Sequence, residues 1–285
     1  MFKPLSFLDL IKFKNEGRKI TALTAYDCST ARYLDQEEID IILVGDSLAM
    51  VALGYDTTHQ VTMEEMLVFS KAVSRGVKRA LVVGDMPFGS YQSDKKTAIE
   101  NACRFIKEGG ARAVKIEGAG EYIYDLTKSL VENGVPVLSH IGFTPQYLYT
   151  LGGYNIQGKT YEQTQKMIEQ AVALEDAGAF GVVLEMVPEE SAQKITQEIN
   201  IPTIGIGSGR FCSGQILVCD DVFGKYDSFK PKFARKYADM AGLIRTCARQ
   251  YKEDVLSGKF PSEEEIFKMN EQEVQKLRDV SIKVY

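Results

Sequence analysis

Ile41-Ile42-Leu43-Val44-Gly45-Asp46-Ser47 begins as an unbroken apolar run and stops at an acid on its C-terminal side. Four more stretches repeat the pattern: Ala80-Leu81-Val82-Val83-Gly84-Asp85, Ala113-Val114-Lys115-Ile116-Glu117, Val137-Leu138-Ser139-His140 and Gly181-Val182-Val183-Leu184-Glu185. Short β-branched runs of this kind read as strands buried on both faces, which is what a parallel sheet requires. Ionisable groups at the same end of successive parallel strands collect on one rim. On a closed barrel that rim carries the reacting groups.

Outward from these runs, strands and helices alternate. The spacing predicts β1 near Ile20–Tyr26, β2 near Asp40–Asp46, β3 near Arg79–Asp85 and β4 near Ala113–Glu117. It continues with β5 near Pro136–Ile141, β6 near Gly181–Val187, β7 near Pro202–Gly207 and β8 near Gln215–Asp220. Helical periodicity is clearest over Met63–Arg75, Ser93–Glu108, Glu121–Glu132, Tyr161–Ala177 and Glu189–Glu198, with Gly76, Gly109-Gly110, Gly134 and Gly178 as C-cap candidates. Ser6 can cap a first amphipathic helix, and helices are expected over Pro231–Leu256 and Ser262–Val280. Eight strands in strict alternation predict an α/β fold, a (β/α)8 TIM barrel with an N-terminal helix and a C-terminal helical extension. No Pro-, Gly- or Ser-rich linker interrupts the chain, so residues 1–285 read as one domain, with the barrel core over about 19–258 and the extension over 262–285. Two irregularities stand out. Residues 142–159 form a long glycine-bearing stretch after β5, read as an active-site loop or lid, and the link from Gly207 to Gly214 is too short for a full helix.

Composition narrows the function. A formal net charge of −5 leaves no basic footprint for nucleic acid or an anionic membrane, and no apolar stretch is long enough to span a bilayer. Asp9, Lys12 and Lys14 interrupt any signal-like apolar region. The five cysteines are odd in number and lack CxxC spacing, which suits reduced thiols in a cytoplasmic protein. With only two histidines, His59 and His140, a multi-histidine transition-metal site is excluded, and any metal is expected to be held by oxygen, as Mg²⁺ is.

Asp46, Asp85 and Glu117 end three successive strands. Three carboxylates on one rim repel unless a cation neutralises them, although Asp46 or Asp85 could instead cap the following helix. Lys115 and Glu117 are two apart and point to the same side of a strand. Lys115 is then either an ion-pair partner holding the barrel together or a cation aimed at an anionic substrate. Glu185 follows an apolar run, where burial raises a carboxyl toward the range of a general base; a salt-bridged rim residue is the plainer alternative. His140 ends β5 beside the long loop, as a substrate contact or a structural group, and His59 is read as structural. Ile204-Gly205-Ile206-Gly207-Ser208-Gly209 lies where many barrels bind phosphate, but it can equally be a tight turn. Tyr147, Tyr149 and Tyr154 could cover a flat ligand.

Together these segments resemble the ketopantoate hydroxymethyltransferase family. The resemblance rests on Thr21-Ala22-Leu23-Thr24-Ala25-Tyr26-Asp27, Val44-Gly45-Asp46-Ser47-Leu48, Gly54-Tyr55-Asp56-Thr57-Thr58 and Asp85-Met86-Pro87-Phe88-Gly89-Ser90-Tyr91-Gln92. It continues through Val114-Lys115-Ile116-Glu117-Gly118, His140-Ile141-Gly142-Phe143-Thr144-Pro145-Gln146, Leu151-Gly152-Gly153-Tyr154, Gln157-Gly158-Lys159-Thr160, Leu184-Glu185-Met186-Val187-Pro188 and Pro202-Thr203-Ile204-Gly205-Ile206-Gly207. It runs from about Thr21 to Pro261, departing at Ala49, Ser139, Met186 and Ser213, where the family commonly has Gly, Gly, Cys and Asp. The resemblance implies a (β/α)8 barrel assembled as a homodecamer of two pentamer rings. It implies transfer of a hydroxymethyl group from 5,10-methylenetetrahydrofolate to 3-methyl-2-oxobutanoate, giving 2-dehydropantoate for pantothenate and coenzyme A synthesis. Asp46 and Asp85 would coordinate Mg²⁺ with Glu117 also at the metal; Ser47, Asp85 and Lys115 would contact the oxo acid; Glu185 would accept the proton. Competing expectations are a Mg²⁺-dependent 2-oxo-acid carbon–carbon lyase of the isocitrate lyase or phosphoenolpyruvate mutase type, whose cysteine loop is absent here, and a non-catalytic metabolite-binding barrel.

Overall fold

The computed structural model describes residues 3–226 and 231–278. Eight parallel strands close a barrel in sequence order, β1 Ile20–Thr24, β2 Ile41–Val44, β3 Leu81–Asp85, β4 Ala113–Glu117, β5 Val137–Gly142, β6 Gly181–Glu185, β7 Thr203–Ile206 and β8 Gly214–Leu217, with β8 returning to pair with β1. The helices are α1 Phe7–Asn15, α2 Cys28–Gln36, α3 Leu48–Val51, α4 Met63–Gly76, α5 Lys95–Lys107 and α6 Glu121–Glu132. They continue with α7 Tyr161–Asp176, α8 Glu189–Glu198, α9 Cys219–Phe223, α10 Met240–Leu256 and α11 Glu271–Arg278. Several start where a side chain satisfies the free amides of the first turn: Asp27 accepts from the Ser29 and Thr30 amides, Thr62 from Glu65, Asp94 from Thr97 and Thr160 from Gln163.

Strands β2 to β6 bury both faces, while β1 and β8 leave Thr21 and Gln215 exposed, and the period of two divides the buried side chains between two cores. Val82, Val114, Ile116, Val137, Val182 and Leu184 point outward into the layer under the helices. Leu81, Val83, Ala113, Leu138, Val183 and Ile204 point inward and fill the barrel. Leu10 of α1, fully buried, belongs to that inner cluster, with Phe7 and Phe13 packed against it. The same alternation sets up the site. One step of two beyond the inner-core residues comes Asp85 after Val83, Lys115 after Ala113, His140 after Leu138 and Glu185 after Val183, and one further step along β4 comes Glu117.

Packing divides the chain into two compact units, Met1–Ala238 and Asp239–Tyr285. The sequence reading ran the barrel core to about 258; the barrel unit ends at Ala238, and α10 lies in the second unit. The helix expected over Pro231–Leu256 begins only at Met240, because Asp239 takes a non-helical backbone and caps α10 through its side chain. Of the helix expected over Ser262–Val280, Glu271–Arg278 is helical, and residues 279–285 lie outside the described residues. The predicted β8 ends at Leu217 rather than Asp220, since Cys219 already starts α9. Gly110, Gly134 and Gly178 adopt positive φ after their helices as expected, whereas Gly76 is the last residue of α4 itself.

Candidate active site

Strand register brings the site together. Asp85 pairs with Lys115 across β3 and β4, Glu117 with His140 across β4 and β5, and Gly142 with Glu185 across β5 and β6. Gly142 has φ +96°, and a Cβ there would lie 2.4 Å from the Glu185 carbonyl oxygen, so only glycine lets β5 end this close to the glutamate. Past Glu185 the chain turns sharply at Met186, whose φ of 49° is unusual for a residue with a side chain. The turn is held by Ser208, whose buried hydroxyl donates to the Leu184 carbonyl (2.7 Å) and accepts from the Val187 amide (3.2 Å). The glycine-rich stretch around Ser208 therefore braces the end of β6.

All seven site residues expected from the sequence, Asp46, Ser47, Asp85, Lys115, Glu117, His140 and Glu185, line one cavity of about 340 Å³. At its centre Lys115 Nζ donates to Asp85 Oδ1 and Oδ2 (2.8 and 2.9 Å) and to Glu117 Oε1 (2.9 Å). Both earlier readings of Lys115 thus meet in one residue: it is ion-paired, and it lines the cavity. Burial would lower its pKa, but Asp85, Glu117 and Asp46 hold it above the usual lysine range. For Glu117 burial pulls upward, yet Lys115 and His140 dominate and keep it well below the usual carboxylate range. Asp46 and Asp85 go the other way: burial lifts both, and Lys115 only partly offsets it. Glu185 is raised well above a normal glutamate, first by burial and then by the Glu117 charge.

His140 lies between two carboxylates, Nδ1 3.3 Å from Glu117 Oε1 and Nε2 3.4 Å from Glu185 Oε2. Neither nitrogen makes a well-formed hydrogen bond at these distances. The imidazole thus lies between the tightly held Glu117 and the Glu185 carboxyl. On the far side of Asp46, Ser47 Oγ lies 2.9 Å from Tyr26 Oη, which also accepts from Thr24.

Sequence reasoning missed the role of Gln146, which it read only as part of a family segment. The long loop after β5 folds back through a short turn at Pro145–Tyr147 and buries this side chain. Gln146 Nε2 donates to Asp46 Oδ2 (3.0 Å) and the Met86 carbonyl (2.9 Å), and its Oε1 accepts from Tyr91 Oη (2.8 Å) and Gln92 Nε2 (3.0 Å). Its backbone amide donates to Glu117 Oε2 (3.0 Å). His59, read as merely structural, also lines the cavity; its Nε2 lies 3.0 Å from the Gln146 carbonyl oxygen, and its ring packs between Phe88 and Tyr149. Of the three loop tyrosines, Tyr154 lines the cavity with its ring on Phe143, while Tyr147 reaches Gly118 behind it.

Among the described residues no three His, Cys, Asp or Glu side chains are grouped to hold a metal ion, so the three-carboxylate set expected from the sequence is not preformed. Both Glu117 oxygens are taken by protein donors, Lys115 and the Gln146 amide. Asp85 likewise gives both oxygens to Lys115, whereas Asp46 gives only Oδ2 to a protein donor, the Gln146 side-chain amide, so a hard cation between these two adjacent carboxylates would enter at Asp46 and take the place of Lys115 on Asp85.

Fold and site define a closed parallel barrel with a cavity at its strand ends, lined by carboxylates around a buried lysine. The chain belongs to the ketopantoate hydroxymethyltransferase family, whose sequence profile matches residues 5–263. It is 52% identical over 266 residues to the 3-methyl-2-oxobutanoate hydroxymethyltransferase of Clostridium novyi (strain NT), spanning 93% of this chain and 96% of that one. It is 53% identical over 260 residues to that of Carboxydothermus hydrogenoformans, spanning 91% and 94%. The chain is accordingly a transferase. Among solved structures, phosphonopyruvate hydrolase in complex with oxalate and Mg²⁺ superposes with a TM-score of 0.59 at 13% identity, covering 95% of this chain and 96% of its own. A 2,3-dimethylmalate lyase of the PEP mutase/isocitrate lyase superfamily gives 0.57 at 15% identity, with 97% and 96% covered. At such identities the likeness is one of fold. No helix among the described residues is long and apolar enough to cross a membrane.

Proposed function

We propose that this enzyme transfers the one-carbon unit of 5,10-methylenetetrahydrofolate to C3 of 3-methyl-2-oxobutanoate, giving 2-dehydropantoate and tetrahydrofolate in pantothenate and coenzyme A synthesis. The observation that carries the reading is Glu185: a carboxylate with a raised pKa faces the cavity that holds Lys115, Asp85 and Asp46. Lys115 and Ser47 receive the anionic carboxylate and keto group of the oxo acid. Glu185 takes the C3 proton, and the C–H electron pair becomes the C2=C3 bond of the enolate. His140 lies against Glu185 on one side and the firmly ionised Glu117 on the other, so it sets the position of the Glu185 carboxyl. C3 of the enolate then bonds to the methylene carbon of the donor, whose two carbon–nitrogen bonds, to N5 and to N10, both break; water supplies the hydroxyl, and its remaining proton and the one taken by Glu185 end on the two folate nitrogens. Mg²⁺ held by Asp46 and Asp85 would supply Lewis acidity toward the substrate's oxygens. Burial excludes water around Lys115 and Glu117, so these charges act in a medium where they are felt strongly.

Solvent deuterium exchange at C3 of 3-methyl-2-oxobutanoate, followed by NMR with Mg²⁺ and no folate, tests the base. Exchange should fall about 10²- to 10⁴-fold in Glu185→Gln, the usual contribution of a positioned general base. Near-normal exchange in that variant would remove Glu185 from the role. The assembly proposed is a homodecamer of two pentamer rings, a reading that rests on the family resemblance; an exposed apolar face on α10 is a surface that such an assembly could bury.

A further inference from the structure

The cavity wall is divided. Asp46, Asp85, Lys115, Glu117, His140 and Glu185 all come from the β2–β6 half. The remaining wall, from β7 and β8, presents Ile206, Ile216, Leu217 and Val218, and Phe233 lies over the turn at Gly207, where a Cβ would sit 2.7 Å from its ring. A small 2-oxo acid bound to the charged half leaves this apolar half empty.

Two charged residues interrupt the apolar half. Asp221 on α9, half-buried, and Lys232 beside Phe233 both line the cavity, as does Tyr226. Its neighbour Asp220 is committed elsewhere, to the Cys219 thiol (3.1 Å) and Lys225 (3.2 Å). Among the described residues the Asp221 carboxylate has neither a hydrogen bond nor an ion pair from the protein. Burial, and then the Asp220 charge, lifts it to about 6. A half-buried carboxylate that no protein group pairs is left to accept from solvent or from a ligand donor in the cavity.

We propose that Asp221 reads the 2-amino-4-oxo edge of the donor's tetrahydropterin ring, seating the folate against the β7–β8 half of the cavity. The inference rests on the folate-dependent reading above. The pterin presents two parallel N–H donors, at N3 and the 2-amino group, and a carboxylate accepts such a pair side by side. The apolar wall, with Phe233 and Tyr226, takes the flat ring. The donor's methylene carbon then lies toward the charged half, where the enolate forms.

The probes are tetrahydrofolate and its 2-deamino analogue, titrated by calorimetry against the full-length enzyme holding Mg²⁺ and 3-methyl-2-oxobutanoate. Wild type should bind tetrahydrofolate about 10- to 100-fold tighter than the analogue, the range for a hydrogen bond to a charged group. Asp221→Asn should lose most of that preference, while its dissociation constant for the oxo acid shows that the charged half is intact. Equal affinity of wild type for the two probes, or an undiminished preference in Asp221→Asn, would overturn the assignment of Asp221 while leaving the folate reading in place. No tetrahydrofolate binding by wild type would overturn both. The analogue comparison uses only wild type, so it decides the matter even if the variant does not fold.

Discussion

Gln146 shows how much a single uncharged side chain can hold. Its carboxamide is saturated, with two donors and two acceptor contacts used, so it joins the loop after β5 to Asp46, to the β3 end through Met86, and to Tyr91. Each buried partner loses a hydrogen bond if the amide is removed, at about 1–3 kcal/mol for a group left unsatisfied. Gln146→Ala should therefore lower stability by about 2–4 kcal/mol and raise KM for the oxo acid through a freed Asp46. Gln146→Glu should do worse, since it sets a carboxylate against Asp46 and the Met86 carbonyl. Urea denaturation and initial rates on both variants check this. If Gln146→Glu had normal KM and stability, the amide would not be what orders Asp46. Rescue is expected only from residues that keep both a donor and an acceptor.

The elements that positioned charge were the most readable ones. Ala113-Val114-Lys115-Ile116-Glu117 shows its register in its own alternation: the apolar Val114 and Ile116 mark the outward face, so Lys115 and Glu117 must point in. Gln146 carried no such signal, because its burial depends on partners up to 100 residues away in the chain and on a loop without periodicity. Asp221 was hidden for a different reason: it lies just past the predicted β8, whose apolar run gives no sign that the chain turns helical at Cys219. The helix α10 was legible as a helix, but not where it begins, since Asp239 and not a change in hydrophobicity sets its start. Along α10, Met240, Leu243, Ile244, Tyr251 and Val255 recur at helical spacing and are all exposed. An apolar stripe of this kind is the surface type that buries itself against a partner, and the occupant we propose is a second copy of the chain. Light scattering should give a mass about ten times the 31.8 kDa of one chain. Ile244→Asp should shift it to smaller species; a wild-type monomer would end the assembly proposal.

The whole barrel separates function from stability by its two ends, as closed parallel barrels do. The top concentrates carboxylates whose pKa values are pulled apart, a costly arrangement that serves chemistry. At the opposite end, ahead of β2, Asp40 does the reverse. Its fully buried carboxylate accepts from Arg18 (2.9 Å) and Arg79 (3.1 Å) through Oδ1, and from the Thr21 amide and hydroxyl (both 3.1 Å) through Oδ2. Burial would raise its pKa, but these donors outweigh it and hold it below 3.8. A folded pKa below the unfolded one stabilises the native state above about pH 3.8, and that stabilisation disappears as pH falls through the lower, folded value. Asp40→Asn should accordingly cost about 2–3 kcal/mol at pH 7, on the low side for a broken buried pair because Arg18 is 42% exposed and can rehydrate. The gap between wild type and variant should narrow steadily below pH 3.8 as the wild-type carboxyl takes up its proton. Urea denaturation of both proteins at pH 7 and in steps toward pH 2 measures it. A gap that stayed constant across that range would mean that Asp40 stabilises the barrel floor through shape and neutral hydrogen bonds, and not through its charge.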